Sequence, residues 1–395
     1  MIFNFLRFFV ELAFKFYFRT IYFLNEASIP DGQPIIVAGN HSNSALDAMI
    51  IDAFLKKNKL YWLARGDIFN NKWLGKFMTA VRTAPIYRAS EVGFVDIKRN
   101  NDSFNLCFDL LNQNRMVGIF PEGVTVHERK LQTPFKKGFA RLAFQAHEKL
   151  GRPIMVLPVG VSYHSLTQTR TDVFVKFGAV FSTELFYNDY KTNQANALKN
   201  ITQYLETQLN DNIINYDEVK DQNGLNLALN ANDALMRQNK PRVFGLSTDE
   251  NYFNNELKIV NYFIDKQRDK KKIDVKFESN LFAKKSAMET SKSGLNFLKF
   301  GYLSLLITIA EIIYFLPNQF SKYFIKQKIK KPAFWGTVRF GLLYFIFPIY
   351  IAGLAFIASL FSKIAVLIVL ILFPLLVFLG LTSKSWLHDE SGNGV

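Results

Sequence analysis

Residues 39–47 read Gly39-Asn40-His41-Ser42-Asn43-Ser44-Ala45-Leu46-Asp47. The periodicity of the chain changes on either side of this stretch, and that change decides the fold. Before it, Pro34–Ala38 is a short unbroken apolar run, the pattern of a strand covered on both faces. After it, Ala45–Leu55 carries apolar residues at helical spacing. A strand that passes through a polar loop into a helix is where α/β sheets present ligands. On one ideal helix, positions six apart differ by about 240°, so His41 and Asp47 can meet only if His41 lies in the loop and the helix begins near Asn43 or Ser44. Asp47 then stands in the first turn and points back to the imidazole. A carboxylate there fixes the tautomer of a histidine and stabilises its imidazolium. A plainer role also fits, because Ser44-x-x-Asp47 has the form of a helix-capping box.

The alternation continues outward. Leu60–Ala64, Met116–Phe120 and Ile154–Val161 read as further buried strands, and Gly93–Leu111 and Gly138–Leu150 as helices. Together they predict an α/β domain over residues 30–185. Thr192–Leu209 also reads as helical, within a 186–299 segment that is Asn- and Lys-rich and is expected to be a helical or poorly ordered connector. Three more pieces of the domain bear on chemistry. Phe120-Pro121-Glu122-Gly123-Val124-Thr125 ends a strand and sets Glu122 between a residue without an N–H donor and one that permits close backbone approach. Ala84-Pro85-Ile86-Tyr87-Arg88 is a short extended run that ends in a cation suited to phosphate. Val156-Leu157-Pro158-Val159-Gly160-Val161 is a buried strand without chemistry of its own.

In this order and spacing, the four pieces resemble the four motif blocks of the glycerolphosphate and lysophospholipid acyltransferase family. The resemblance covers about residues 30–185 and extends to the basic stretch Leu131–Arg141, which contains Lys136. It implies a mixed sheet with surrounding helices, and transfer of an acyl chain from a coenzyme A or acyl carrier protein thioester to glycerol 3-phosphate or a lysophospholipid. It also implies a catalytic His41–Asp47 pair and an acceptor site formed by Asn43, Arg88, Glu122, Gly123 and Lys136, with no metal and no cofactor beyond the thioester co-substrate. Five residues separate His41 from Asp47, where the commonest family pattern has four. That spacing, with Asn43 two after the histidine, matches a subgroup that includes fungal glycerol-3-phosphate acyltransferases and many bacterial relatives.

The ends of the chain set its surroundings. Of 395 residues, 49% are hydrophobic and 40 are Phe, while Lys+Arg exceed Asp+Glu by 48 to 33. This composition excludes a disordered chain, and the single cysteine, Cys107, excludes an internal disulfide or a cysteine-clustered zinc site. Residues 1–29 are Phe-rich, with Arg7, Glu11, Lys15 and Arg19 at intervals of four, and predict an amphipathic helix lying in a membrane interface. Residues 300–381 form an expected membrane domain. The charge-free run 340–361 and the run Ile364–Leu381 predict a transmembrane hairpin, since a span needs about 20 apolar residues. Phe300–Leu316, which carries Glu311 and is followed by Pro317, is expected to dip in without crossing, and 382–395 forms a polar tail. Lys322, Lys326, Lys328, Lys330, Lys331 and Arg339 put the basic 320–339 segment, and with it the catalytic domain, on the cytoplasmic face. Because the lysines flank apolar segments, the excess positive charge points to anionic membrane lipids rather than nucleic acid. Two alternatives stand beside the enzyme reading. One is a catalytically silent lipid-binding or scaffold protein with the same fold; the other is a metal hydrolase using His41, Asp47, Glu122 and His127.

Overall fold

The computed structural model describes residues 2–55, 59–87, 95–237, 245–268, 296–377 and 379. Helix α1 (Ile2–Tyr17) leads directly into strand β1 (Thr20–Leu24). There follow β2 (Ile35–Gly39), α2 (Ala45–Phe54), β3 (Leu60–Arg65), α3 (Lys72–Ala80), β4 (Thr83–Ile86), α4 (Val95–Asn112), β5 (Met116–Ile119) and α5 (Gly138–Leu150). Next come β6 (Met155–Tyr163), β7 (Val173–Phe177), the short β8 (Phe181–Ser182), α6 (Tyr187–Thr192) and α7 (Gln194–Asn210). The chain continues through α8 (Gln222–Arg237), β9 (Gly245–Ser247), α9 (Glu250–Arg268), α10 (Asn296–Lys328), α11 (Trp335–Ser359) and α12 (Lys363–Leu367), which runs on through a π-helical turn.

The strands form one mixed sheet in the order β4-β3-β5-β2-β6-β7-β1-β9, with β8 beside β6. β2 lies parallel to both β5 and β6, so these three strands bring their C-terminal ends to one edge. β7 and β8 pair antiparallel with β6, which makes the sheet mixed. β2 and β5 are buried along their whole length, as their unbroken apolar runs require of strands covered by helices on both faces. One core, with Phe14, Leu46, Ile50, Leu157, Val159 and Phe340, fills the face under α1 and α2. The other, with Cys107, Leu111, Phe139, Phe144 and Leu205, fills the face under α4, α5 and α7. Cys107 is fully buried, and that burial pushes its thiol up to about 12, so it packs as a small apolar residue.

Several elements differ from the sequence expectation. The N-terminal helix stops at Tyr17, and residues 20–24 form a strand between β7 and β9. The expected connector contributes a strand to the sheet and two packed helices: Leu225, Ala228 and Leu229 of α8 and Tyr252, Phe253, Ile259 and Val260 of α9 form a third core against Tyr22, Leu24 and Phe174. Phe300–Leu316 belongs to one continuous helix, α10, which passes through Pro317. Among the described residues, only Pro332–Ser359 is long and apolar enough to cross a membrane. The second run of the expected hairpin is helical over Lys363–Val377, a shorter length. Its start is capped by Ser362, whose Oγ accepts from the Ala365 N–H at 3.0 Å, and Val369 packs back on Ile351, Ala355 and Ala358. Residues 380–395 lie outside the described residues, as does Arg88.

The face that α1 exposes is apolar: Phe5, Phe8, Phe9, Leu12 and Phe16 point outward. Its charges are turned aside. Arg7 donates to the carbonyls of Ala53 and Leu55 at the end of α2, at 3.1 and 2.7 Å, and Lys15 pairs with Glu11. Arg19 lies beyond the helix, clasped through Nε and Nη2 by the fully buried Asp172 at 2.9 and 2.8 Å, with Asp233 of α8 at 2.8 Å from Nη1. This buried triad fastens β1, the β7 entrance and α8 together. Removing one partner of such a group leaves an uncompensated buried charge. Asp172→Ala is therefore expected to destabilise the protein by about 3–5 kcal/mol. Asp67→Ala, which breaks the exposed Arg65–Asp67 pair, is expected to cost at most about 1 kcal/mol. Denaturant titration in detergent, read by tryptophan fluorescence, measures the contrast.

Candidate active site

The C-terminal ends of β2, β5 and β6 carry the site. His41 follows β2 in the loop, and α2 begins at Ala45, so His41 and Asp47 meet as their spacing requires: His41 Nδ1 and Asp47 Oδ2 are 3.0 Å apart. Asp47 is fully buried. Its Oδ2 also accepts the backbone N–H of Asn43 at 2.8 Å, and its Oδ1 accepts the hydroxyl of Tyr163, at the end of β6, at 2.8 Å. The capping and orienting roles thus coincide in one carboxylate, which steadies the backbone entering α2 while holding the imidazole. The Ser44 side chain makes no capping hydrogen bond. With Nδ1 facing a carboxylate, its proton is fixed there and Nε2 is left to accept one.

The loop is held from several sides. Asn40 acts as an extra strand residue against β6: its Oδ1 accepts from the Val161 N–H at 2.7 Å and its Nδ2 donates to the Val161 carbonyl at 2.9 Å. Asn43 Nδ2 donates to the Leu166 carbonyl at 2.9 Å. The His41 ring stacks on Phe120 at 4.1 Å between centroids and 7° between planes, and Phe120 stacks in turn on Trp62 of β3 at 4.7 Å. Ser44 sits at φ 54°, ψ −133°, a conformation that costs a non-glycine residue of order 1–3 kcal/mol and persists only where its surroundings impose it.

Glu122 follows β5, the neighbour of β2, and its Oε1 accepts the His41 backbone N–H at 3.0 Å. Burial, aided by the nearby Asp47 and opposed by the His41 N–H, pushes its carboxyl from an ordinary 4.5 up to about 8. Gly123 turns the chain at φ 70°, and a Cβ there would lie 2.8 Å from Cγ of Lys136, so the Lys136 stem passes across this glycine. The Lys136 N–H donates to the Pro121 carbonyl at 2.8 Å, and its side chain is exposed beside the loop. His41, Asn43, Asp47, Glu122, Gly123 and Lys136 therefore share one edge of the sheet. Among the described residues, no three His, Cys, Asp or Glu side chains converge to hold a metal ion. His127, from the metal-hydrolase alternative, stands edge-on to Trp335 at 5.9 Å, and burial lowers its pKa.

Sequence reading missed Tyr163, Asn40 and the Trp62–Phe120 stack. For Tyr163 a signal existed: the two-residue period of β6 places Leu157, Val159, Val161 and Tyr163 in the same core as Leu46 and Ile50 of α2.

The raised Glu122 carboxyl has a thermodynamic consequence. The folded state holds a proton there that the unfolded state has released above about pH 4.5, so this group's contribution to stability falls as pH rises from about 4.5 to about 8. Glu122→Gln keeps the acceptor for His41 and removes the titration. The unfolding temperature of wild type relative to Glu122→Gln is expected to fall between pH 5 and pH 9. Asp52, which burial raises to about 7, titrates in both proteins and cancels in the comparison.

Residues 20–162 match the family model described as Acyltransferase. A curated relative, the 1-acyl-sn-glycerol-3-phosphate acyltransferase of Bacillus subtilis (strain 168), is 24% identical over 119 residues, which are 30% of this chain and 54% of the relative. The chain thus spans about half the length of that relative. A solved structure, the 1-acyl-sn-glycerophosphate (LPA) acyltransferase PlsC from Thermotoga maritima, aligns over 53% of this chain and 77% of its own at 18% identity, with a TM-score of 0.39. The matched segment, residues 20–162, contains both the His41–Asp47 loop and the Phe-Pro-Glu-Gly loop, and over that segment the chain is similar to the Acyltransferase family.

Proposed function

We propose that this protein is a membrane-associated O-acyltransferase that moves a fatty acyl chain from a thioester to a hydroxyl of glycerol 3-phosphate or a lysophospholipid. The single observation that carries this reading is the 3.0 Å His41–Asp47 contact, with the carboxylate buried and held by two further donors at the tips of parallel strands. Nε2 of His41 takes the hydroxyl proton as the oxygen attacks the thioester carbonyl. The C–O bond forms, the C–S bond breaks, and the imidazolium returns its proton to the departing thiolate. Asp47 keeps the imidazole in the tautomer this requires and stabilises the intervening cation. No protein nucleophile enters the step.

Glu122 acts here through the loop, holding the His41 amide, and Gly123 gives the backbone room for Lys136. Lys136 and Arg88 are the cations assigned to the phosphate of the acceptor, Arg88 by its place in the family-like block alone. The membrane is reached through the apolar outer stripe of α1 and through the apolar helix Pro332–Ser359. The exposed lysines 322, 326, 328, 330 and 331 beside that helix favour the cytoplasmic side for the catalytic domain and contact with anionic lipid headgroups.

Membranes containing the protein, incubated with glycerol 3-phosphate, lysophosphatidate or lysophosphatidylglycerol and with either palmitoyl-coenzyme A or palmitoyl-acyl carrier protein, should yield one acylated lipid. No product from any pairing removes the proposal. His41→Ala should lower kcat by roughly 10²–10⁴-fold, the usual worth of a general base. Asp47→Asn should approach that loss, and the double variant should be little worse than either single one, because the two residues act as a unit. Independent, additive losses would put the base elsewhere. In the same assay, Arg88→Ala should raise the KM of the phosphorylated acceptor far more than that of the thioester, and Arg88→Lys should recover part of the loss. Equal effects on both substrates would assign Arg88 a structural role.

A further inference from the structure

The catalytic loop makes an unexpected contact with a helix almost 300 residues further along the chain. Thr337 stands in the first turn of α11, the helix of membrane-spanning length. Its Oγ1 donates to the Asn43 carbonyl at 2.8 Å and accepts the Leu46 N–H at 3.1 Å. These two backbone groups bracket the strained Ser44 and lie between His41 and Asp47. The adjoining Gly336 is buried against the same loop: a Cβ there would collide with Oδ1 of Asn43 and with the Leu166 carbonyl oxygen, the group that Asn43 Nδ2 already holds. One turn further on, Arg339 donates to the Thr167 carbonyl and, at 2.7 Å, to Oδ1 of Asn318 in α10. Phe340 stacks on Phe14 of α1 at 4.6 Å, within the core that backs α2.

From these contacts we infer that Thr337 is a positioning residue for the His41–Asp47 pair: the membrane helix closes the catalytic loop from outside the segment that matches the family model. The Thr337 hydroxyl matches one donor and one acceptor of the 43–46 backbone, and the missing side chain of Gly336 lets α11 come close enough for that match. Leu46 N is already shared with the Asn43 carbonyl at 3.2 Å, so the hydroxyl adds the second partner that pins both groups together. Without it, the 42–46 backbone is free to relax away from the Ser44 conformation, and the Asn43 N–H that helps hold the Asp47 carboxylate moves with it. Misplacing a catalytic group by about 1 Å from a distant contact costs up to about 10²-fold in rate.

This inference rests on the catalytic reading of His41 given above, and the test separates the two. Full-length wild type, Thr337→Val, Thr337→Ser and His41→Ala are purified in detergent. Each is assayed with every acceptor and donor pairing of the panel above and followed by hydrogen exchange over residues 40–54, with 139–150 of α5 as a folding control. Thr337→Val, which keeps the shape and loses the hydroxyl, should lower kcat by about 10–100-fold with both KM values unchanged. Exchange over 40–54 should quicken in that variant while 139–150 stays as in the wild type, and Thr337→Ser should restore both readouts. Unchanged exchange in Thr337→Val overturns the inference whatever the activity does. So does a loss of turnover that Thr337→Ser fails to recover. Turnover that survives in His41→Ala, or its absence in the wild type, strikes the catalytic reading instead, and the exchange result still decides whether Thr337 holds the loop.

Discussion

Everything at the site depends on one buried carboxylate. Asp47 is out of contact with water and takes hydrogen bonds from an imidazole and a backbone amide of the loop after β2 and from a phenol at the end of β6. Hydrogen bonds to a charged acceptor are stronger than neutral ones, and leaving such a group without donors is costly. The carboxylate therefore constrains the surrounding structure as much as it assists a histidine. α2 has to begin where it does so that Asp47 points back along the loop. β6 has to extend past the end of β2 so that Tyr163 can reach it, and Asn40 ties that overhanging part of β6 to the loop through Val161.

The same constraint explains the chemistry around His41. Parallel strands that lie side by side end at one edge, so the loops after β2 and β5 are neighbours without any further device. Glu122 exploits that closeness, yet its raised carboxyl carries a proton near neutral pH. With Glu122 neutral, Asp47 has no second negative charge beside it in this small space. The aromatic stack from Trp62 through Phe120 then holds the imidazole ring flat, and Gly118 leaves the room that the Trp62 ring occupies.

Much of this was legible in the sequence, for reasons that separate short range from long. The His41–Asp47 pair and the Phe-Pro-Glu-Gly turn are local, and their strands are unbroken apolar runs because both sheet faces are covered. β1 was hidden because Arg19 to Leu24 continues the aromatic pattern of α1 with no Gly or Pro between them; only the β-branched Thr20 and Ile21 mark the change. The α8–α9 unit was obscured by its Asn-rich outer faces, although Leu225, Ala228 and Leu229 hold helical spacing inside. Tyr163 and Thr337 lie 116 and more than 290 residues from their partners, and no local pattern announces a contact of that range.

β1 also has consequences for the order in which the molecule is made. Ile21 pairs with Val173 and Thr20 with Gly245, so the strand that continues from α1 waits for both of its neighbours. At roughly 5–20 residues per second, the ribosome needs about 8–30 s to deliver the first of them. For that interval α1 can pack only on elements made earlier, such as α2, whose last carbonyls hold Arg7. β1 is therefore among the first strands to be made and among the last to be seated.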